Sequence, residues 1–528
     1  MIQKFETKFE GRIEVNSLPP NLICNAGAGT GKTTTITNGV GVMKGHQPEI
    51  TPTPEQRAIW DVMCQENMPG KVHLTSFSTA AAEQLQSKCP KDKEITSSST
   101  YGMGLRQAFR AGLAGQNKGK LHTQKYEYII GDLLGTSRWK GGERFKAIQD
   151  CVDKARLELK RQLTQKEAQD LALWYGIDID WAGGELDVVN DALRIGLEQS
   201  HKFDYTDMVW IPNLLGVVRR TYDCLVVDEY QDMGVAQQEL CMSIAWRVIC
   251  IGDKHQAIYG FAGADADAYK RMGGWMGKTL RGCVTLPLKM TRRCGKAIVD
   301  DVNKALPEED RLIALPEAPD GVVQFTSTAQ MHRDLESMVG SLSKGTGPTS
   351  ATSRIWTAAD MMVICPTNAP LVSLIYKLQE RGIRAFVASK DIADDMLRLI
   401  GEEPTVAKLA WGLQGKLERL DKKKGRAAQA KQDTIRTLME IANKCSTLDT
   451  VKQTVKKMFP EKHPIGWMRM SSIHQAKGLE ADTVVVWEWD RCNSAYSTLE
   501  WQKQQDRNLL HVAKTRAKTR LILARSEG

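Results

Sequence analysis

The chain has 528 residues, 42% of them hydrophobic and 26% charged, with a formal net charge of +9; that is the composition of a folded globular protein, and the length suggests about three or four compact units. No apolar run approaches the roughly 20 residues a membrane span needs, and the opening MIQKFETKFEGRIEV lacks a signal-peptide core, so membrane insertion and export are not expected. The twelve cysteines stand singly, with no CxxC pair and no Cys/His cluster at zinc spacing, which favours reduced cytosolic thiols over disulfides or a metal site.

Taken in order, Leu22 to Thr35 (LICNAGAGTGKTTT) reads as a short apolar strand, a glycine-rich turn and a helix opened by Lys32 and Thr33, which is the P-loop order. Gly27, Gly29 and Gly31 would let the backbone curl so that several N–H groups face one anion. Lys32 would then reach the β and γ phosphates and Thr33 would ligate Mg²⁺. Ala26 stands where the strict motif has its first glycine. A proline-led helix follows at Thr51 to Met63, then a strand, loop and Ala-rich helix at Val72 to Lys88, and another strand and turn at Ile95 to Gly104. Strands alternating with helices predict a parallel sheet.

From about Phe109 to Ser200 the pattern is helical, with nine Lys/Arg against five Asp/Glu between Arg138 and Glu167, so a helical insertion with a basic face is expected. Strands resume at YDCLVVDEYQDM (Tyr222 to Met233) and at WRVICIGDKHQAIYGFAGA (Trp246 to Ala264). A P-loop needs a carboxylate on a neighbouring strand end to hold Mg²⁺ and a base to activate water; Asp228 and Glu229 supply both. A second lobe is expected from Val284, with a linker at Ser341 to Arg354, a strand at Met361 to Thr367, helices from about Ile392 to Lys462 around a lysine-rich turn at Asp421 to Arg426, and strand and helix to the end.

The ordered series AGAGTGKT, LTSFSTAA, VVDEYQDM, IGDKHQAIYGFAGA, LPLKMTRRC, IHQAKGLEAD and LLHVAKTRA resembles the UvrD/Rep-type superfamily 1 DNA helicases. The resemblance implies an α/β fold with two RecA-like parallel-sheet motor lobes and two helical insertions. The first lobe would take residues 1–108 and 201–283, its insertion 109–200, the second lobe 284–391 and 463–528, and its small insertion 392–462. ATP and Mg²⁺ are implied, held by the P-loop residues Ala26, Gly27, Ala28, Gly29, Thr30, Gly31, Lys32, Thr33 and Thr34, with Asp228 joining Thr33 at the metal. Glu229 would polarise water, Gln256 would sense the γ-phosphate, Arg293 and Arg516 would reach the phosphoryl group from the second lobe, and Glu480 would contact the ribose. Phe77, Thr79, Tyr101, Tyr259, Phe261 and His474 match positions that contact single-stranded DNA, where stacking on rings is sequence-tolerant.

This sequence departs from the family pattern at several points. Gln56, in the only segment similar to the family's glutamine motif, follows the P-loop instead of preceding it. Arg292 replaces the tyrosine that usually stacks on adenine, and Thr34 replaces a flanking arginine; Thr79 and Ala80 stand where Asn-Lys is usual, Tyr101 where a histidine is usual and Ala262 where an arginine is usual. The implied activity is ATP-dependent 3′ to 5′ movement on single-stranded DNA with unwinding at single/double-strand junctions, in repair, recombination or replication. The alternatives are a DNA-stimulated ATPase that strips proteins from DNA, or a switch subunit in a complex with repair, recombination, nuclease or defence partners. The expected location is the cytoplasm, or the host cytoplasm if the chain is virus-encoded.

Overall fold

The computed structural model describes residues 19–527 apart from 66–69, 77, 114–120, 137, 261–262, 265–266, 344–360, 381, 389, 402, 422–425, 461–463, 465, 494–496 and 498. Two compact units divide the chain, Met1–Lys289 and Met290–Gly528.

In the first unit β1 (Asn21–Ala26), β2 (Val72–Ser76), β3 (Ile95–Ser99), β4 (Tyr222–Asp228), β5 (Ala245–Gly252) and β6 (Cys283–Leu288) form one sheet in the order β3-β2-β4-β5-β1-β6. Every neighbouring pair is parallel. Successive residues of a strand face opposite sides, so Leu22, Cys24, Val226 and Ile251 pack with Ile36 and Trp60 on one face, while Ile23, Leu225, Val227 and Cys250 pack with Met103 and Met272 on the other. With both faces covered, the strands read as unbroken apolar runs instead of alternating ones.

Parallel neighbours need crossovers, which here are α1 (Lys32–Met43), α2 (Pro54–Met63), α3 (Thr79–Ser87), and a long run of α4 (Thr100–Arg110), α5 (Lys125–Leu134), α6 (Arg138–Leu157), α7 (Gln165–Tyr175), α8 (Glu185–Glu198) and α9 (Asp207–Leu214), then α10 (Val235–Ile244) and α11 (Ala268–Gly277). The long run has its own core, including Tyr126, Ile130, Phe145, Cys151, Leu193 and Trp210. The expected basic face is only part of the outcome, because Arg156, one of its nine cations, is turned inward and is 1% exposed. Its Nη1 lies 2.8 Å from Asp204 Oδ1 and 3.0 Å from Asp207 Oδ1, and its guanidinium stacks 3.6 Å over the Tyr126 ring. Lys125 completes the cluster at 2.7 Å from Asp207 Oδ2. A buried guanidinium needs this much compensation, since an unpaired charge there would be strongly destabilising.

The second unit begins later than the sequence suggests. Residues 284–288, expected to open the second lobe, hydrogen-bond along β1 as part of the edge strand β6 of the first sheet, and the backbone N–H of Lys289 still donates to Glu55 Oε2 at 2.9 Å. From there β7 (Met290–Thr291) pairs with β8 (Ile313–Ala314), and β9 (Val322–Ser327), β10 (Met361–Cys365), β11 (Ala385–Val387), β12 (Met468–Ser472), β13 (Ala481–Trp487) and β14 (Ala517–Arg525) form a second parallel sheet in the order β11-β12-β10-β13-β14-β9.

Its helices are α12 (Lys296–Asn303), α13 (Thr328–Ser343), α14 (Ala369–Glu380), α15 (Lys390–Ile400), α16 (Val406–Asp421), α17 (Arg426–Ala442), α18 (Leu448–Met458) and α19 (Glu500–Lys514). The helical stretch expected from Ile392 shares the core of the sheet: Met396, Leu413, Ile435 and Val455 lie in one cluster with Val363, Met470 and Val485. Shared packing of this kind explains why two units are found where length alone suggests more. Among the described residues no helix is long and apolar enough to cross a membrane.

Candidate active site

Because the strands of the first sheet are parallel, the segments that leave β1, β3, β4 and β5 all emerge at one end of it, which is where open α/β sheets bind ligands. The P-loop leaves β1. Gly29 (φ 71) and Gly31 (φ 81) take left-handed backbone that a Cβ would strain, whereas Gly27 does not. Ala26 is the last residue of β1, opposite Leu288, and its methyl group is buried there, so the strand tolerates it in place of glycine. Thr30 Oγ1 donates to Gly27 O at 2.9 Å and closes the turn, and Ala28 is fully buried beneath it. Gly31 caps α1 without a side-chain acceptor, so Lys32, Thr33 and Thr34 enter the helix with its first N–H groups directed at whatever anion lies beyond.

Helix α2 is pinned against this turn. Gln56 accepts the Thr53 N–H through Oε1 at 3.0 Å and donates through Nε2 to Thr35 Oγ1 at 2.9 Å, while Trp60 Nε1 donates to Thr35 O at 2.8 Å. Although it comes after the P-loop in sequence, Gln56 therefore sits beside it in space.

From β4 come Asp228, the last residue of the strand, and Glu229, whose backbone is left-handed (φ 53, ψ 41). Such a conformation is uncommon in a non-glycine residue. Lys32 Nζ lies 3.4 Å from Glu229 Oε1. Asp228 is buried, and burial together with the neighbouring Glu229 carboxylate pushes its carboxyl up to about 7, only partly offset by Lys32. Two crowded carboxylates sharing one ammonium are a donor set suited to a divalent cation.

From β5 comes Gln256, buried, with Nε2 donating to Asp253 Oδ2 at 2.7 Å, followed by the half-buried Tyr259. Burial, then the Asp232 and Glu229 carboxylates, push the Tyr259 hydroxyl up to about 12. At the end of β3, Ser99 accepts from Thr79 Oγ1 at 3.3 Å and from the Gly102 N–H, which places Thr79 and Tyr101 on adjoining helix starts. Tyr101 packs against both the helical core and the sheet core. Phe77, Phe261 and Ala262 lie outside the described residues.

In the second unit the sequence-selected residues also converge. Arg293 Nε donates to Glu480 Oε2 at 2.7 Å, and Arg293 Nη1 to Thr515 O at 3.2 Å. Lys518 holds the other Glu480 oxygen at 2.8 Å, and these cations keep the Glu480 carboxyl below its ordinary range against the opposing effect of burial. Arg516 is 1% exposed and donates to the carbonyls of Val512 (2.9 Å) and Leu479 (3.2 Å). Arg292 is exposed, and His474 is half-buried in the turn after β12.

Two buried residues of the first unit, Gln231 and Asp253, are absent from the sequence reading. Their motifs, DEYQD and GDKHQ, draw attention to the acids and the final glutamine, and nothing in the spacing reveals that the two strand ends touch through them.

A parallel sheet with a P-loop after β1 and an acid pair at the same end of β4, one strand removed across β5, defines a P-loop nucleotide-binding protein. Residues 8–274 match the family described as UvrD/REP helicase N-terminal domain, and residues 468–524 match UvrD-like helicase C-terminal domain. The first match alone covers more than half of the chain, which belongs to the UvrD/REP helicase family, a family of ATP-driven superfamily 1 helicases. No curated protein matches it.

Proposed function

We propose that the chain hydrolyses ATP with Mg²⁺ and uses the reaction to move 3′ to 5′ along single-stranded DNA and to open duplex at single/double-strand junctions. The observation that carries this reading is the facing pair Lys32 and Glu229, 3.4 Å apart, with buried Asp228 beside them. The P-loop N–H groups and Lys32 bind the phosphates, drawing the ammonium away from Glu229. Glu229 Oε1 then accepts a proton from water as the water oxygen attacks the γ-phosphorus and the bond to the β-phosphate oxygen breaks, giving ADP and orthophosphate. Thr33 and Asp228 would hold Mg²⁺, which when bound neutralises phosphate charge. Gln256 orients the γ-phosphate region, Arg293 and Arg516 supply positive charge to the phosphoryl group, and Glu480 and Arg292 address the ribose and base.

On the DNA side Tyr259 and His474, with Phe77 and Phe261, stack on bases, and Thr79 and Tyr101 flank them. Each base–ring contact of this kind is worth about 1–3 kcal/mol regardless of sequence. The test is phosphate release with and without single-stranded DNA, alongside strand displacement on duplexes with 3′ or 5′ tails. DNA-stimulated release and opening of the 3′-tailed duplex are expected. Release that ignores DNA, or opening of only the 5′-tailed substrate, refutes the reading.

A further inference from the structure

Gln231 joins the ends of two strands through one amide. Its Nε2 donates to Glu229 Oε2 at 2.6 Å, while its Oε1 accepts the backbone N–H of Asp253 at 3.1 Å. The Asp253 carboxylate continues the chain by accepting the His255 N–H at 2.9 Å and Gln256 Nε2 at 2.7 Å. Gln231 is 2% exposed, and its bond to the Asp253 N–H is made away from competing water, while its bond to Glu229 is part-buried. The glycine at 252 is shaped to this arrangement: a Cβ there would collide with Gln231 Oε1 and stand 2.8 Å from the Tyr230 ring. Gly252 has no left-handed backbone, so space and not conformation requires it.

The Glu229 carboxylate is thus held from both ends, Oε1 toward Lys32 and Oε2 by Gln231. Phosphate competes for the lysine but not for the amide. The bond that survives nucleotide binding is therefore the one that leads to the segment carrying Gln256 and, three residues on, Tyr259.

We propose that Gln231 is a positioning residue that aims Oε1 of Glu229 at the attacking water and links that carboxylate to the segment after β5, so that DNA engaged at Tyr259 raises the hydrolysis rate through this amide. The inference rests on the reading of Glu229 as the base.

Three variants of the full chain test it. Gln231→Glu keeps the shape and can still accept from Asp253 N–H, but it sets a carboxylate instead of a donor against Glu229; Gln231→Met keeps the length and removes both bonds; Gly252→Ala displaces the amide while residue 231 stays glutamine. Phosphate release is measured against ATP concentration with and without a deoxythymidine oligonucleotide, and folding is checked by thermal melting. Loss of one charge-assisted hydrogen bond predicts that both Gln231 variants lower kcat in the presence of DNA by about 10- to 100-fold, with KM for ATP within about twofold of wild type and a smaller ratio of stimulated to basal rate. Gly252→Ala is expected to act in the same direction, and to add little in the Gln231→Met background.

A merely packing role predicts that the isosteric Gln231→Glu keeps its kcat and its stimulation, and that result overturns the proposal. So does full additivity of Gly252→Ala and Gln231→Met. Glu229→Gln in the same assay separates the two levels. If it turns over normally, the assignment of the base fails; if it is inactive while the Gln231 variants behave as wild type, only the link through Gln231 fails.

Discussion

Glu229 and Glu488 occupy the same construction in the two units. In each a parallel strand runs out, the glutamate turns left-handed with φ 53, and one turn of 3-10 helix follows, Tyr230–Asp232 in the first and Trp489–Cys492 in the second. Their surroundings differ. Glu229 faces Lys32 and Gln231, whereas Glu488 has Arg491 at 3.1 Å, and burial, with Asp490 and Asp433 nearby, pushes its carboxyl up. No Gly-Lys-Thr or Gly-Lys-Ser sequence occurs between residues 290 and 528. The strained turn therefore belongs to the parallel-sheet fold, and reactivity depends on what the neighbouring strand ends bring to it.

The comparison is tested most severely by neutralising each carboxylate in turn. Glu229→Gln is expected to lower kcat by about 10²- to 10⁴-fold, the scale of a lost general base, while nucleotide binding is retained. Glu488→Gln should stay within about twofold of wild type, since the ion pair of Glu488 is with Arg491 and not with a P-loop lysine. Steady-state phosphate release paired with equilibrium nucleotide binding measures both. Comparable losses in the two variants would show that the shared turn, and not the P-loop lysine opposite Glu229, governs turnover.

Stability should respond in the opposite sense. Asp228 is raised to about 7 from an ordinary value of 3.8, by burial first and by Glu229 second. A carboxyl raised on folding stabilises the native state below the unfolded value and loses that contribution as pH rises through the folded value, because the unfolded chain ionises first. Without added metal, the melting temperature should therefore fall between pH 4 and 7 by an amount that Asp228→Asn removes, and at neutral pH Asp228→Asn should melt several degrees above wild type. Glu488→Gln should shift melting in the same direction but less, since Arg491 already compensates part of its charge. Mg²⁺ should stabilise wild type and not Asp228→Asn, by linkage. A neutral or lower melting temperature for Asp228→Asn would mean that its carboxylate is well compensated in the native state.

Much of this site was legible in the sequence because its signals are local. A glycine turn opening a helix, or an apolar run ending in two acids, can be recognised within a dozen residues, and the parallel architecture follows from their alternation. The boundary at Val284 was misplaced for the same reason: VTLPL is a strand by pattern, but only its hydrogen bonds to β1 show which sheet it joins. Arg156 reads as one more surface cation until Asp204 and Asp207, about fifty residues on, are folded against it. Gln231 lies one strand away in space but 22 residues in sequence from the Asp253 amide it accepts. Contacts of this kind are set by register and by crossovers, which composition and periodicity do not encode.

The smallest expected effect isolates the backbone of the two turns. A left-handed non-glycine residue carries about 1–2 kcal/mol of steric cost, while glycine adds back about 0.5–1 kcal/mol through the freedom of the unfolded chain. Glu488→Gly should therefore stabilise by about 1.5 kcal/mol at most, reduced by whatever the partly exposed pair with Arg491 contributes. Glu229→Gly relieves the same strain and also removes the carboxylate that crowds Asp228, so its gain should be the larger of the two. In an Asp228→Asn background that excess has no source, and the two glycine substitutions should then shift urea midpoints by similar amounts at unchanged slope. If Glu229→Gly keeps its larger gain there, the strain in the first turn exceeds that in the second, and the two constructions are alike in dihedral angles but not in energy.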